Sequence, residues 1–164
     1  MSRGLSANPN DRMGVFKSLS EVPQRYRLEQ SATAFDGRDA WQEYLDASLY
    51  ERYPDASQQF YEGVDRAGRR WKEYMDSRGR HHALATPADV EQWCEDLHSN
   101  ASLHTVCHEY WIRIEGFYTW MQGHTDYPHV YHPFWMAVTE YPLSREIWNM
   151  KLSGGNRKGG TWDE

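Results

Sequence analysis

Apolar positions recur with helical spacing over most of the chain. In residues 105–121, TVCHEYWIRIEGFYTWM, the residues Val106, Tyr110, Ile114, Phe117 and Met121 fall at i, i+4, i+8, i+11 and i+15. Trp111 and Trp120 lie beside that stripe and widen it. A helix this apolar is predicted to sit at the centre of a bundle, capped by Ser102 or nearby and ending around Gly123. Upstream, GRDAWQEYLDASLYERY reads as a helix with Ala40, Tyr44 and Ala47 or Ser48 on one side, Trp41, Leu45 and Leu49 close by, and Pro54 as its stop. DASQQFYEGVDRAGRRWKEYMDSRGR reads as a second helix with Asp55 at the N-cap and Phe60, Val64, Ala67, Trp71 and Met75 buried. Gly79 is its natural end. ATPADVEQWCEDLHS carries the clearest start signal: Thr86 caps, Pro87 takes the first helical position and Asp89 sits in the first turn. Its apolar side is Val90, Trp93, Cys94 and Leu97.

The two ends lack such spacing. Residues 1–35 mix Ser, Asn, Pro and Arg, with FKSL and SEVPQRY able to make a short local turn or helix, and read as a mobile arm. HTDYPHVYHP is an extended connector, FWMAVTEY adds one or two helical turns, PLSREIWNMKL adds a short helix, and SGGNRKGGTWDE is a flexible tail. No strand pattern and no internal repeat appear. The expectation is an all-α small helical bundle of four or five helices, with an arm over 1–35, a core over 36–137 and a short helix with tail over 138–164.

Composition narrows the class. With 164 residues the chain is long enough for one real core, and aromatic residues at 15% imply that large rings fill it. Mean hydropathy is −0.91, no apolar run approaches a membrane span, and the N-terminus lacks the apolar segment of a secretory signal. A cytoplasmic protein without membrane contact is expected. Cys94 and Cys107 are too few for a disulfide framework. The formal net charge of −6 argues against coating nucleic acid by bulk attraction, so any DNA contact must come from a locally basic face.

Four segments together resemble the SAM-like, core-binding N-terminal domain of tyrosine recombinases, the phage-integrase family. WKEYMDSRGR looks like the end of that domain's first core helix, and ATPADVEQWCEDL like the start of its next. SLHTVCHEYWIRIEGFYTWM looks like its aromatic-closing helix and YPHVYHPFWMA like the segment that follows. The likeness covers roughly residues 56–137. It implies a SAM-like bundle that clamps duplex DNA, while cutting belongs to a separate C-terminal domain bearing a tyrosine nucleophile, two arginines and a His-x-x-Arg motif. Here no histidine is followed three residues later by arginine, and only 27 residues follow Ala137. Recombinase activity is therefore not expected of this chain. In HTVCHEYWIR, where family members place basic residues early, Arg113 is the only fixed positive charge before Gly116.

The basic run DRAGRRWKEYMDSRGRHH carries the candidate phosphate contacts Arg66, Arg69, Arg70, Arg78 and Arg80, with Arg66, Arg69 and Arg70 placed opposite Phe60, Val64 and Trp71. Arg113 joins them, and Lys151, Arg157 and Lys158 offer tail contacts. The bland alternative is a solvated face with i,i+4 pairs such as Arg69–Glu73. Cys94, His98, His104, Cys107 and His108 have spacing compatible with a zinc tetrahedron, but two core cysteines with surface histidines fit the pattern better, so no metal and no cofactor are expected. His124, His129 and His132 read mainly as hydrogen-bonding residues of the connector. No nucleophile with a base, phosphate loop or paired carboxylates stand out. The leading expectation is a non-catalytic DNA-binding protein, accompanying or regulating a mobile-element recombinase and partnering duplex DNA, a recombinase or itself. The competing one is a helical protein-interaction or self-association module.

Overall fold

Most helices start where a side chain satisfies one of the first free N–H groups, and the helix Pro133–Glu140 starts on a proline instead. The computed structural model describes residue 8 and residues 16–157, with side chains as far as residue 153. Helix α1 runs through Ala40–Tyr44, a π-helical turn Leu45–Leu49 and Tyr50–Arg52, and Asp39 caps it by accepting the Gln42 N–H at 3.1 Å. Helix α2 spans Gln58–Ser77 and is capped by Ser57, not Asp55, because the Tyr61 hydroxyl binds Ala56 N and the Tyr53 carbonyl and holds that turn outside the helix. It stops at Gly79, whose φ of 76° lies in the left-handed region that glycine tolerates. Helix α3, Pro87–His98, begins with the expected reciprocal box: Asp89 N donates to Thr86 Oγ1 and Thr86 N to Asp89 Oδ2.

Helix α4 runs through Leu103–Thr105, a second π-helical turn Val106–Trp111, and Ile112–Gln122. Its predicted stripe is buried throughout, and it packs on every other helix of the bundle. Trp111 is fully buried, whereas Trp120 stays half-buried against Tyr44 and Tyr127. At the centre Trp71 has no exposed surface and meets the rings of Trp93, Phe134 and Tyr118 at 4.8, 5.6 and 6.1 Å. Trp41 of α1 lies against the α2 backbone, and only a glycine at position 68 admits it: a Cβ there would stand 2.2 Å from Trp41 Nε1.

Helices α5, Pro133–Glu140, and α6, Pro142–Arg157, close the far side. The α6 helix is longer than the short one expected, because Ile147 and Trp148 anchor it in the core and Glu91 of α3 caps it, accepting from Leu143 N, Ser144 N and Ser144 Oγ. The expected arm over 1–35 also needs correcting for residues 16–35. Three 3-10 turns, Leu19–Glu21, Gln24–Tyr26 and Leu28–Ser31, and a helical turn, Ala32–Phe35, bury Val22, Leu28 and Phe35. Leu28 N donates to the Tyr131 hydroxyl at 2.9 Å, so the segment is tied to the connector. The remainder of the arm, and the tail from Lys158 onward, lie outside the described residues. The described residues are all-helical, with no strand and no helix long and apolar enough to cross a membrane.

Candidate nucleic-acid interface

The arginines expected to share one phosphate-binding surface divide into separate environments. Arg78 and Arg80, just beyond α2, converge on Asp89 at the start of α3. Arg78 Nε reaches Oδ1 at 3.0 Å, Arg80 Nε reaches Oδ2 at 2.7 Å and Arg80 Nη2 reaches Oδ1 at 2.7 Å. The Asp89 side chain has no exposed surface. Burial alone would raise its pKa, but the hydrogen bonds from Arg80, Thr86 and Arg78 outweigh this and hold the carboxyl below its ordinary value. These two guanidiniums fasten α2 to α3, and a phosphate would have to compete with a buried carboxylate for them.

Arg113 lies across the α2/α4 seam, flat over the position 63 backbone, where a Cβ would come within 2.6 Å of Nη1. Its Nη1 donates to the Glu109 carbonyl and to Glu109 Oε1 at 3.3 and 3.1 Å, and the guanidinium stands 5.7 Å from the Phe60 ring centre. Lys151 is removed from the candidate contacts. It is buried, with Nζ 3.1 and 3.3 Å from the two carboxylate oxygens of Glu115, because that carboxylate, itself buried inside α4, requires a cation. Trp111 and Trp135 donate to the same carboxylate at 2.9 and 2.8 Å, so its hydrogen-bonding capacity is used inside the fold. The Arg157 side chain and Lys158 lie outside the described residues.

Arg66, Arg69 and Arg70 remain on the outer face of α2. All three are exposed, and among the described residues none has a carboxylate within ion-pair distance. Arg70 lies over the Tyr110 ring of α4 at 5.6 Å, which orients it along the α2/α4 seam. Arg69 borders a shallow groove with Trp41 and Lys72 towards α1. The face is not uniformly basic. Glu62, Arg66 and Arg70 form one i,i+4 row, and Asp65, Arg69 and Glu73 the next, so three carboxylates share the face with the three arginines.

The histidine and cysteine clusters are largely structural. Cys94 and Cys107 are buried free thiols; burial pushes Cys94 well above its ordinary pKa and Cys107 up to about 12, away from the thiolate a metal requires. The His104 and His108 rings lie 4.0 Å apart, tilted by 31°, yet among the described residues no three His, Cys, Asp or Glu side chains converge as metal ligands. His129 and His132 are buried, with His129 Nε2 donating to the Ala83 carbonyl at 2.7 Å and His132 Nε2 paired with Thr119 Oγ1 at 3.0 Å. Burial pushes His129 down to about 4 and His82 down to about 3. His82 Nε2 accepts the Trp41 N–H at 3.2 Å, a bond open only to the neutral ring.

One arrangement went unread in the sequence. Arg52, at the end of α1, reaches the Tyr44 hydroxyl at 3.2 Å and lines a cleft with Arg113. Both π-helical turns border this cleft, and helical periodicity alone does not reveal them. Comparison with models of protein families, with curated proteins and with solved structures finds no match for this chain.

Proposed function

We propose that the chain is a non-catalytic, DNA-associated helical domain that holds duplex DNA by its phosphates through the outer face of α2. The observation that carries this reading is the set Arg66, Arg69 and Arg70, exposed and without an ion-paired carboxylate among the described residues. Guanidinium forks suit phosphate oxygens, and such contacts position a protein on DNA without reading sequence. The likeness of residues 56–137 to an integrase core-binding domain supports the same partner, and through it a role beside a mobile-element recombinase. Three buried carboxylates, Asp89, Glu91 and Glu115, each spend their oxygens on structural bonds, which favours binding over catalysis. The free thiols suit a reducing, cytoplasmic setting. An apolar protein partner is less favoured, because Tyr26 and Val130 are the only large hydrophobic residues exposed among the described residues.

The test is a mobility shift of duplex DNA at two salt concentrations. Three phosphate contacts predict a slope of log affinity against log salt of about −3. A chain that leaves DNA unshifted even at low salt sinks the reading.

A further inference from the structure

Where α1, α2 and the middle of α4 meet, the surface opens into a cleft of about 240 Å³. Its floor is apolar, from Leu49, Val64 and Ile112, and Phe60 supplies an aromatic wall. Two arginines, Arg52 and Arg113, line it, and among the described residues no carboxylate does. A mixed lining of this kind, an apolar body with few convergent polar groups, is characteristic of small-molecule sites.

The polar groups are placed to donate. The Tyr44 residue is only 2% exposed, and its hydroxyl accepts from Arg52 Nη2 at 3.2 Å. Its own proton finds no acceptor among the described residues, which leaves a buried donor beside a cation. Arg113 uses Nη1 on Glu109 and keeps Nη2 without a hydrogen bond among the described residues. Both donors sit over glycines: a Cβ at position 63 would strike Arg113, and one at position 116 would stand 3.2 Å from the Tyr44 hydroxyl.

The backbone adds an independent observation. Leu49 ends one π-helical turn, His108 lies within the other, and Tyr44 and Ile112 directly adjoin the two turns. A π turn fits one extra residue into the helix and re-aims the side chains around it; such turns concentrate at functional sites. Here two of them, on different helices, face one cleft.

We infer that this cleft binds a small organic anion: one oxyanion, carboxylate or phosphate monoester, carried on a single ring-sized apolar body. The oxyanion takes the Tyr44 O–H and the guanidiniums of Arg52 and Arg113, and the ring lies on Phe60 and Ile112. A cavity of about 150 Å³ already holds benzene, so the observed space leaves room for the charged group. The site is separate from the arginines of the DNA reading and does not rest on it.

The experiment titrates the full chain with benzoate, phenyl phosphate and the neutral benzyl alcohol, read by calorimetry and by NMR shifts. At least one anion should bind with a Kd of about 0.1–1 mM, with benzyl alcohol about tenfold weaker or more. Benzoate alone assigns a carboxylate ligand, phenyl phosphate alone a phosphate monoester. Shifts should centre on Leu49, Ile112 and Gly116. Arg52→Met and Tyr44→Phe, one at an exposed side chain and one nearly isosteric, should each weaken the anion about tenfold. Gly63→Ala, which displaces Arg113, should do the same. Arg66→Ala with Arg70→Ala should leave anion binding intact while reducing DNA binding, so the two proposals fail separately. The inference is overturned if neither anion binds below about 5 mM, if benzyl alcohol binds as tightly, or if the shifts fall on the outer face of α2.

Discussion

Arg66, Arg69 and Arg70 on one side, and Arg78 and Arg80 on the other, belong to a single basic run, yet they occupy opposite physical situations. The first three end in solvent, while the last two end on a carboxylate with no exposed surface. The residue type is constant; what differs is whether a buried anion lies within reach. Asp89 is drawn inward as the N3 residue of the α3 capping box, and once there it requires cations. The nearest are the two arginines in the turn between α2 and α3. An arginine is a surface charge only after the interior anions have been satisfied.

Matched double variants break this comparison most sharply. Arg78→Ala with Arg80→Ala strands the Asp89 carboxylate in the interior, retaining only the Thr86 N–H bond to its Oδ2. Unfolding in urea should show a loss of about 3–5 kcal/mol. A loss below about 1 kcal/mol would mean that the pair is ornamental and that these arginines remain free for phosphate.

How much of this was legible depended on whether one residue's role could be read from its own neighbours. The Thr86, Pro87, Asp89 signal is local, and α3 starts there. The Val106 to Met121 stripe is local in the same sense, and it is buried as its spacing implies. Lys151 is different. Its destination is set by Glu115, a carboxylate whose place inside an aromatic helix becomes visible only when Trp111, Trp135 and α6 surround it. Residues 16–35 escaped for a related reason. Val22, Leu28 and Phe35 each anchor a separate short turn, so their spacing matches no helical period. The cleft escaped because each π turn shifts the register that a period-based reading assumes.

A second way to separate the two regions is acid. The turn that carries Arg78 and Arg80 continues into His82, and His129 donates to Ala83 in the same turn. Burial pushes His82 down to about 3, helped by His81 and Lys72 and opposed by Asp39; burial pushes His129 down to about 4. Both folded values lie below the unfolded value near 6.5, so the unfolded chain binds more protons in between, and stability falls as pH drops through that window. From pH 7 to pH 5 the loss should be about 2 kcal/mol per histidine. Asp89 and Glu115, held low, stabilise above the unfolded carboxylate range and act only at lower pH. Denaturant midpoints that stay flat between pH 7 and pH 5 would contradict the buried neutral state.

Gly68→Ala tests the inner side of the helix whose outer side carries the exposed row. The added methyl would meet the buried Trp41 ring, which cannot retreat as a flexible chain end would. Overpacking of this kind costs about 1–3 kcal/mol, read as a lower melting temperature. DNA affinity, normalised to folded protein, should not change, since Arg66 and Arg70 keep their positions on the exposed face.

Arg66→Ala with Arg70→Ala is the mirror of the first experiment, and on stability its effect should be the smallest. Neither residue has an ion-paired carboxylate among the described residues, and in the one aromatic contact, Arg70 over Tyr110, the arginine is exposed. The change in unfolding free energy should stay within about 0.5 kcal/mol. The same variant should reduce the salt slope of DNA binding by about 2, one for each lost phosphate contact. Lower affinity alone would not suffice, because the chain already carries a net charge of −6 and losing two cations weakens attraction to any polyanion. A general charge effect is mimicked by adding two carboxylates elsewhere, and Glu62→Gln with Glu73→Gln should instead strengthen binding by unmasking the row. If the arginine pair and a remote charge-matched control shift the slope equally, the outer face of α2 is only a solvated surface.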